Sequence, residues 1–287
     1  MNSVCILTDS SAQFSKPVFP GKNLLTVIPL HILIDHQDLT DAKEVKIGNF
    51  PPSVSESFHP RLTPPSVEEF RKTFINLGQT YNEVVAILLS PHLNGAYTNA
   101  VEAAEGVRGR VAVTVIDSQT TAVGLGVLVQ TAADAALKGA RSTEIERLLR
   151  GLIPHTYSVL CIPGMTYLYQ SGFIGEAQAT IGEMLGLLPI YTLEEGHLTP
   201  VEKARNYRQL TDYLQEFVDE FTDLYHIALI QSIPATVHDS RVFREHASLM
   251  FPKTPFSEHQ INPVMAVMFG PRTLAVFAME TPSEKER

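Results

Sequence analysis

Three short apolar, β-branched segments of the chain each end at a small polar cluster. The segments are Val4–Leu7, Val84–Leu89 and Val111–Ile116, and the polar residues after them begin at Thr8, Ser90 and Asp117. A strand followed by a polar turn and a helical pattern is typical of a parallel sheet. Ligands of such sheets bind outside the carboxyl ends of the strands, where N–H groups of the following helices are free. The pattern therefore predicts a binding site at this edge.

Capping signals predict where several helices begin. Ser66 and Glu69 form a capping box ahead of apolar residues at helical spacing, which predicts a helix over 66–79. The same device predicts two further helices, one starting at Thr143 with Glu146 and one starting at Thr199 with Pro200 and Glu202 and ending near Asp223. A helix over 94–107 is expected after the second apolar segment.

The order of elements changes near residue 150. Before it, strands and helices alternate, with a further strand at Thr26–Ile34 and a long irregular loop from Asp35 to Pro65. After it, the predicted strands lie closer together: Tyr157–Ile162, Leu187–Leu193, Tyr225–Gln231, Pro263–Met268 and Thr273–Met279, the last two joined by a hairpin-length turn. We therefore expect an α/β protein of two domains, a parallel-sheet α/β/α domain over 1–153 and a mixed-sheet α/β domain over 154–287.

Composition narrows the class of protein. The chain has 287 residues, 44% of them hydrophobic, and its 22 basic and 31 acidic residues give a net charge of −9. An acidic chain without basic runs is a poor partner for nucleic acid or an anionic membrane. Cys5 and Cys161 lie inside apolar segments, so we read both as core thiols of a reducing compartment. With no leader and no apolar stretch of ~20 residues, we expect a cytoplasmic protein without stable membrane insertion.

Catalytic and cofactor motifs are absent from the sequence. No serine lies in a Gly-x-Ser-x-Gly elbow, no histidines follow the HExxH pattern, and Gly124 and Gly126 lie in a helical pattern instead of a phosphate loop. We therefore expect neither a metal nor a cofactor. Asp9 and Asp117, at two strand ends, are candidate acid or base groups, although capping the helix and fixing the turn that follow the strand is the favoured role of each.

Six segments taken together resemble the DegV family of bacterial fatty-acid-binding proteins, nearly from end to end. They are ILTDSSAQF at the start, VIPLHILID, TPPSVEEF at 63–70, LLSPHLNGAYTNA at 88–100, VIDSQTTAVGLG at 115–126, and TYLYQSGFIGEAQATIGEMLGLLPIYTLEEGHL with KAR at 203–205. The resemblance implies a fold related to dihydroxyacetone-kinase-like proteins. It also implies a buried acyl chain between the domains, no catalytic residues, and presentation of the bound acid to a fatty acid kinase.

The same resemblance implies a set of head-group residues from which this sequence departs. Leu62, beside Thr63, stands where the family has a threonine; Asn94 replaces a serine; Met268 replaces a histidine; Phe173 replaces an arginine. Arg205 matches a family arginine. Because Met268 and Phe173 cannot compensate charge during phosphoryl transfer, we expect a poor partner for a standard fatty acid kinase.

Two explanations of these departures stay open. In one, Asn94, Thr63 and Ser90, with the first N–H groups of the helix at Gly95 and Ala96, hold the carboxylate, because a helix amino terminus suits an anion. In the other, the ligand head is neutral or absent and Leu62, Phe173 and Met268 simply pack. The remaining candidate ligand residues are the strand-end serines Ser10 and Ser118.

The expected function is non-catalytic binding of a long-chain fatty acid or similar lipid in an interdomain tunnel, for lipid transport or fatty acid metabolism. Burying ~15 methylenes at about 0.8 kcal/mol each favours such a complex. The alternatives are an enzyme acting on a small phosphorylated or carbonyl substrate in the same crevice, with Asp9 or Asp117 as base, and a divergent member that binds only a protein partner.

Overall fold

The computed structural model describes residues 4–35, 37–39, 45–55, 58–235 and 237–281. In chain order the strands are β1 (Val4–Asp9), β2 (Leu25–Ile28), β3 (His31–Ile34), β4 (Gln37–Asp38), β5 (Pro60–Thr63), β6 (Glu83–Leu88), β7 (Ala112–Asp117), β8 (Thr156–Cys161), β9 (Leu188–Glu194), β10 (His197–Ala204), β11 (Leu224–Gln231), β12 (Phe256–Gln260) and β13 (Leu274–Glu280). The helices are α1 (Val67–Gly78), α2 (Ala96–Gly106), α3 (Ala122–Leu137), α4 (Ser142–Leu152), α5 (Met165–Gln170), α6 (Glu176–Met184), α7 (Tyr207–Asp219), α8 (Val237–Met250) and α9 (Pro263–Phe269).

The first sheet is parallel and has the strand order β2-β1-β6-β7. The apolar segments Val4–Leu7, Val84–Leu89 and Val111–Ile116 form β1, β6 and β7, so the prediction of a parallel α/β sheet is confirmed. β1 is buried along its whole length and β6 from its second residue onward, as expected of strands covered on both faces. Helices α1 to α4 pack around this sheet.

The second sheet is mixed and has the strand order β10-β9-β8-β13-β11-β12. Only the β11–β12 pair is parallel; the other pairs are antiparallel. Helices α7 and α8 cover one face, where Leu210, Leu214 and Phe243 pack on Val159 and Val276. The predicted mixed-sheet α/β region is confirmed.

One hydrophobic cluster extends from the first sheet to the second. It includes Leu88 of β6 and Phe277 of β13, together with the buried residues of α3 and α9. Polar contacts add to this junction: Asn262 Nδ2 donates to the Ser11 carbonyl at 2.7 Å, and Gln13 Nε2 donates to the Gln260 carbonyl at 2.8 Å. All strands of the first sheet precede residue 118 and all strands of the second follow residue 155. The domain division at 153/154 stays a prediction.

The segment before α1 is more regular than predicted. Thr26–Ile34 is not one strand, because the chain leaves the parallel sheet at Ile28 and resumes as β3. β3 pairs antiparallel with β4 and β5 in a three-stranded sheet. The predicted irregular loop over 35–65 therefore contains two strands and a 3₁₀ turn at Ile47–Asn49, while residues 36, 40–44, 56 and 57 lie outside the described part.

Helix starts were predicted with mixed success. The capping box of Ser66 and Glu69 is present at the start of α1, and α2 covers most of the predicted 94–107. The predicted capping residue Thr143 is wrong by two positions: Arg141 precedes α4, which begins at Ser142, and Glu144 accepts the Arg141 N–H at 2.8 Å.

Two longer predictions of secondary structure are wrong. Thr199 does not open a helix, since residues 197–204 form strand β10 and α7 begins after Asn206, whose Oδ1 accepts the Gln209 N–H. Pro263–Met268 is not a strand but most of helix α9, capped by Asn262, whose Oδ1 accepts the Met265 N–H. Proline in the first helical turn fits this start.

Candidate functional site

A cavity of about 300 Å³ lies where four separate parts of the chain meet. We call it the Asn94 pocket. Its lining residues are Pro60, Arg61, Leu62, Thr63, Leu93, Asn94, Gln170, Ser171 and Met268. They come from β5, the turn before α2, the end of α5 and helix α9. The pocket therefore joins residues of the N-terminal and C-terminal halves of the chain.

Local contacts hold β5 and the start of α2 side by side. β5 is paired with β3, with Thr63 opposite His31. After Thr63, the chain is attached to α2 by Asn99, whose Nδ2 donates to the Pro65 carbonyl at 2.8 Å. Gly95 lies so near this segment that a Cβ atom there would be 3.4 Å from Pro64 Cγ. These contacts place Thr63 and Asn94 on the same pocket.

Asn94 combines a structural contact with an available donor. Its Oδ1 accepts the Ala96 N–H at 3.1 Å and so fixes the turn that starts α2, where Ala96 is buried. Its Nδ2 makes no hydrogen bond within the described residues. The first N–H groups of α2 give this end of the helix a partial positive charge. The arrangement suits a negatively charged or hydrogen-bond-accepting group.

The floor of the pocket is apolar. Leu62, Leu93 and Met268 supply it, and Met268 is only 1% exposed. Ser171, at the end of α5, donates from its hydroxyl to the Met268 carbonyl at 3.1 Å and holds α5 to α9. Phe173 lies just beyond: its ring packs on Phe269 with centroids 5.7 Å apart, and it is not among the lining residues.

The hydroxyl groups of the three strand-end serines all form hydrogen bonds with backbone groups of the protein. Ser90 donates to the Gly196 carbonyl at 2.9 Å and Ser118 to the Thr120 carbonyl at 3.2 Å, and both serines are fully buried. Ser10 accepts the Leu30 N–H at 2.9 Å. None of the three lines the Asn94 pocket, so the structure brings together Leu62, Thr63, Asn94 and Met268 but not the serines.

The carboxylates of the two candidate bases, Asp9 and Asp117, also accept hydrogen bonds from backbone N–H groups. Both oxygens of the fully buried Asp9 accept N–H groups, from Ser11 and Leu89, each at 2.8 Å. Asp117 accepts the Gln119 N–H at 2.8 Å. Burial raises the pKa of both carboxyls above the usual value. Neither residue lines the Asn94 pocket, and these contacts match the turn-fixing alternative.

A β-hairpin of the second sheet contacts the strand ends of the first. The contact is made at the β9–β10 turn, where Gly196 accepts the Ser90 hydroxyl and His197 stacks on His92 with ring centroids 3.4 Å apart. Gly196 has φ +83°, and a Cβ atom there would lie 2.4 Å from Ser90 Oγ. Only glycine fits this approach.

A second, larger cavity of about 880 Å³ lies against the face of the second sheet that α7 covers. We call it the glutamate groove. Its carboxylates are Glu194, Glu195, Glu216, Glu220 and Glu280, and its aromatic side chains are Tyr157, Tyr213, Phe217 and Phe221. No lysine or arginine is among its lining residues in the described part of the chain.

Sequence reasoning missed several lining residues of the Asn94 pocket. Arg61, Gln170 and Ser171 contribute polar groups that no motif indicated. Arg61 was hidden because its segment was predicted to be an irregular loop. The one indication in the sequence is that Arg61 directly precedes Leu62 and Thr63, which the family resemblance had already placed at the head group.

Neither a membrane-spanning helix nor a cluster of metal ligands is found in the described ranges. Each helix there is too short or too polar to cross a bilayer. Likewise, no three histidine, cysteine or acidic side chains of those ranges are grouped closely enough to hold a metal ion.

The fold and pocket define an α/β protein with one parallel, one mixed and one small antiparallel sheet, and with a small cavity lined by polar and apolar residues from both halves of the chain. The chain belongs to the DegV family: the family model described as "Uncharacterised protein, DegV family" matches residues 3–281. A DegV domain-containing protein of Caldanaerobacter subterraneus subsp. tengcongensis is 30% identical over 227 residues, 78% of this chain and 80% of the relative.

Solved structures of the family share the fold. A DegV family protein from Thermus thermophilus, titled for its fatty acid binding, matches with a TM-score of 0.82 at 22% identity over 97% of this chain and 100% of its own. The Streptococcus pneumoniae Fatty Acid Kinase (Fak) B3 protein loaded with linoleic acid matches with a TM-score of 0.82 at 16% identity over the same shares. The predicted family and fold are confirmed.

Proposed function

We propose that this chain binds one long-chain fatty acid without acting on it chemically, and that the carboxyl end of the lipid lies in the Asn94 pocket. The observation that carries the proposal is the pocket itself, whose lining combines amide, hydroxyl and guanidinium donors with apolar Leu62, Leu93 and Met268. A buried carboxylate needs such donors. Solved relatives titled as fatty acid binding share the fold.

The acyl tail requires more room than the pocket offers. A volume of about 300 Å³ lies at the small end of the ~300–1,000 Å³ typical of ligand cavities. Met268 and two other residues of α9, Met265 and Phe269, are all at most 1% exposed. Methionine side chains are unbranched and repack easily. We place the tail among these α9 side chains, which part when the lipid enters.

Native mass spectrometry of protein purified from cells tests the binding function. We expect a mass excess of one acyl chain per protein, released on denaturation as a free fatty acid. Delipidated protein should take up one equivalent of added fatty acid. Protein that carries no lipid and takes up none would contradict the proposal.

We further infer that the protein holds its lipid instead of presenting it to a fatty acid kinase. Phosphoryl transfer needs charge placed around the reacting group, whereas Met268 is apolar and Phe173 packs on Phe269. With a purified fatty acid kinase and ATP, we expect little acyl phosphate from the loaded wild type and more from the double variant Phe173→Arg/Met268→His. A wild-type rate equal to that of the pneumococcal Fak B3 protein would refute this inference.

The enzyme alternative has less support. The candidate base Asp9 has no exposed surface, and both of its oxygens accept backbone N–H groups. A general base must instead reach the proton that it removes.

A further inference from the structure

We propose that Arg61 makes the Asn94 pocket selective for a carboxylate over a neutral head group. The proposal rests on the proposed function and adds the class of head group. Arg61 is the one charged residue among the nine that line the pocket; no acidic side chain is among them. The charge is conspicuous because the whole chain has a net charge of −9.

Arg61 is also unpaired within the described part of the chain. Arg71 of α1 pairs with Glu68 at 2.9 Å, whereas no carboxylate forms an ion pair with Arg61 in the described ranges. A guanidinium has five N–H donors in a planar fork that matches the two oxygens of a carboxylate. Its hydrogen-bonding capacity is therefore available to a ligand.

Arg61 and Thr63 border the same pocket as Leu62, the residue between them in β5. Arg61 and Thr63 are both exposed and both line the pocket, which Asn94 closes from the α2 side. A carboxylate between them meets a guanidinium, a hydroxyl and an amide. A hydroxyl or ester head would leave the guanidinium without an anionic partner.

The neutral-head alternative predicts a different pocket. A neutral head group offers no negative charge to the one cation among the lining residues, whereas a carboxylate does. The guanidinium thus favours the acid among the two explanations that the sequence left open.

Delipidated protein tests the proposal through a matched pair of ligands, palmitic acid and hexadecanol, at pH 8. The variants are Arg61→Gln, which removes the charge; Arg61→Lys, which keeps it without the fork; and Arg108→Gln, which removes one exposed charge outside the pocket. Dissociation constants are measured by displacement of a fluorescent lipid, and thermal melts establish that each variant is folded.

We expect Arg61→Gln to weaken palmitate binding about tenfold, the range for hydrogen bonds to a charged group at an exposed site, and to leave hexadecanol binding unchanged. Arg61→Lys should lose less, and Arg108→Gln nothing. Unchanged palmitate binding by Arg61→Gln, or an equal loss for acid and alcohol, would overturn the role of Arg61 while leaving fatty acid binding intact. A wild type that binds neither ligand would overturn the proposed function and this inference together.

Discussion

The Asn94 pocket and the glutamate groove differ in size, charge and position. The groove is almost three times larger, about 880 Å³ against about 300 Å³. It is lined by five glutamates and no cation, while the pocket is lined by one arginine and no carboxylate. The larger cavity therefore repels an anion and the smaller one attracts it, so volume alone does not identify a binding site for a fatty acid.

The pKa of Tyr213, which lines the glutamate groove, reflects burial and the negative charge of that groove. Burial raises the pKa of this phenol, and the negative charges of Glu220, Glu202 and Glu216 raise it further. A phenol surrounded by carboxylates resists becoming an anion itself. An incoming fatty acid carboxylate would meet the same repulsion in the groove.

The largest expected effect comes from reversing the charge of the pocket. Leu62→Glu introduces a carboxylate that neutralises Arg61 and repels the ligand, so palmitate affinity should fall about 1,000-fold, since juxtaposed like charges cost several kcal/mol. Leu62 is only partly buried, which lets the variant fold.

Val201→Glu is the matched control for that reversal. Val201 lines the groove and is 42% exposed, so a glutamate there should leave palmitate binding unchanged in the same titration. A loss of binding in Val201→Glu with none in Leu62→Glu would reverse the assignment of the two cavities.

A smaller effect, about 30-fold in affinity, is expected at Asn94. Asn94→Leu removes both the donor to the carboxylate, worth ~1.5–3 kcal/mol, and the oxygen that accepts the Ala96 N–H in the turn before α2, worth ~1 kcal/mol of stability. Asn94→Asp keeps the oxygen that accepts the Ala96 N–H, so its stability should be retained while binding is lost.

The helix cap of α7 supplies the control for Asn94. Asn206→Leu removes an asparagine whose Oδ1 likewise accepts a backbone N–H at a helix start, outside the pocket, and should lower the melting temperature without changing lipid content. Wild-type lipid content in Asn94→Asp, measured by extraction and mass spectrometry, would mean that Asn94 only stabilises the turn before α2.

Acid should also act on folding at a site away from the Asn94 pocket, because the second sheet contains a buried histidine, His226, that is not among the lining residues of the pocket. Burial, helped by His259 and Lys16, lowers the pKa of His226 to about 4, and Ser257 Oγ lies 2.9 Å from its ring. Below pH ~6.5 the unfolded chain binds a proton that the folded chain does not, so stability is lost as the pH falls from ~6.5 to about 4.

At pH 5.5 this histidine should lower the free energy of unfolding by about 1.4 kcal/mol relative to pH 8, a tenfold change in the folding equilibrium. Urea titrations at both pH values measure it. His226→Gln keeps a hydrogen-bonding group for Ser257 and should flatten this part of the pH dependence. The same slope in both proteins would show that the protons are taken up elsewhere.

The smallest effect concerns salt. Arg61 is exposed, and the screening length falls from ~10 Å at 0.1 M to ~3 Å at 1 M salt. The ratio of palmitate to hexadecanol affinity should therefore fall about threefold over this range. Using the ratio cancels the strengthening of apolar binding by salt. A ratio that does not change with salt in wild type, or that changes equally in Arg61→Gln, would contradict a charge-based preference.

Sequence patterns predicted secondary structure correctly where a segment carried only one kind of signal. Ser66 and Glu69 form the expected capping box. At Pro200 two signals competed: a proline after threonine suggested a helix start, but β10 is an edge strand, where the missing N–H of proline is tolerated. At Pro263 the apolar run suggested a strand, yet Asn262 and Pro263 start a helix. Whether such a segment becomes a strand or a helix depends on tertiary contacts, such as the pairing of β10 with β9, which the local sequence does not show.

The site was predictable in part. The resemblance identified Leu62, Thr63, Asn94 and Met268, which do line one pocket. It gave no indication of Arg61, because that residue gains its position from pairing with Leu33 in a strand that the sequence pattern did not reveal. Polar residues after strands were weaker guides, since Ser90 and Ser118 satisfy carbonyl groups of the protein itself.

The hydrogen bonds from Asn262 to Ser11 and from Gln13 to Gln260 also constrain how the protein is made. Asn262 emerges from the ribosome 251 positions after Ser11, which at ~5–20 residues per second takes roughly 12 to 50 s. During that interval the turn after β1 lacks the partners that cover it in the finished molecule. The nascent chain therefore completes its first structural unit only when its last one has been translated.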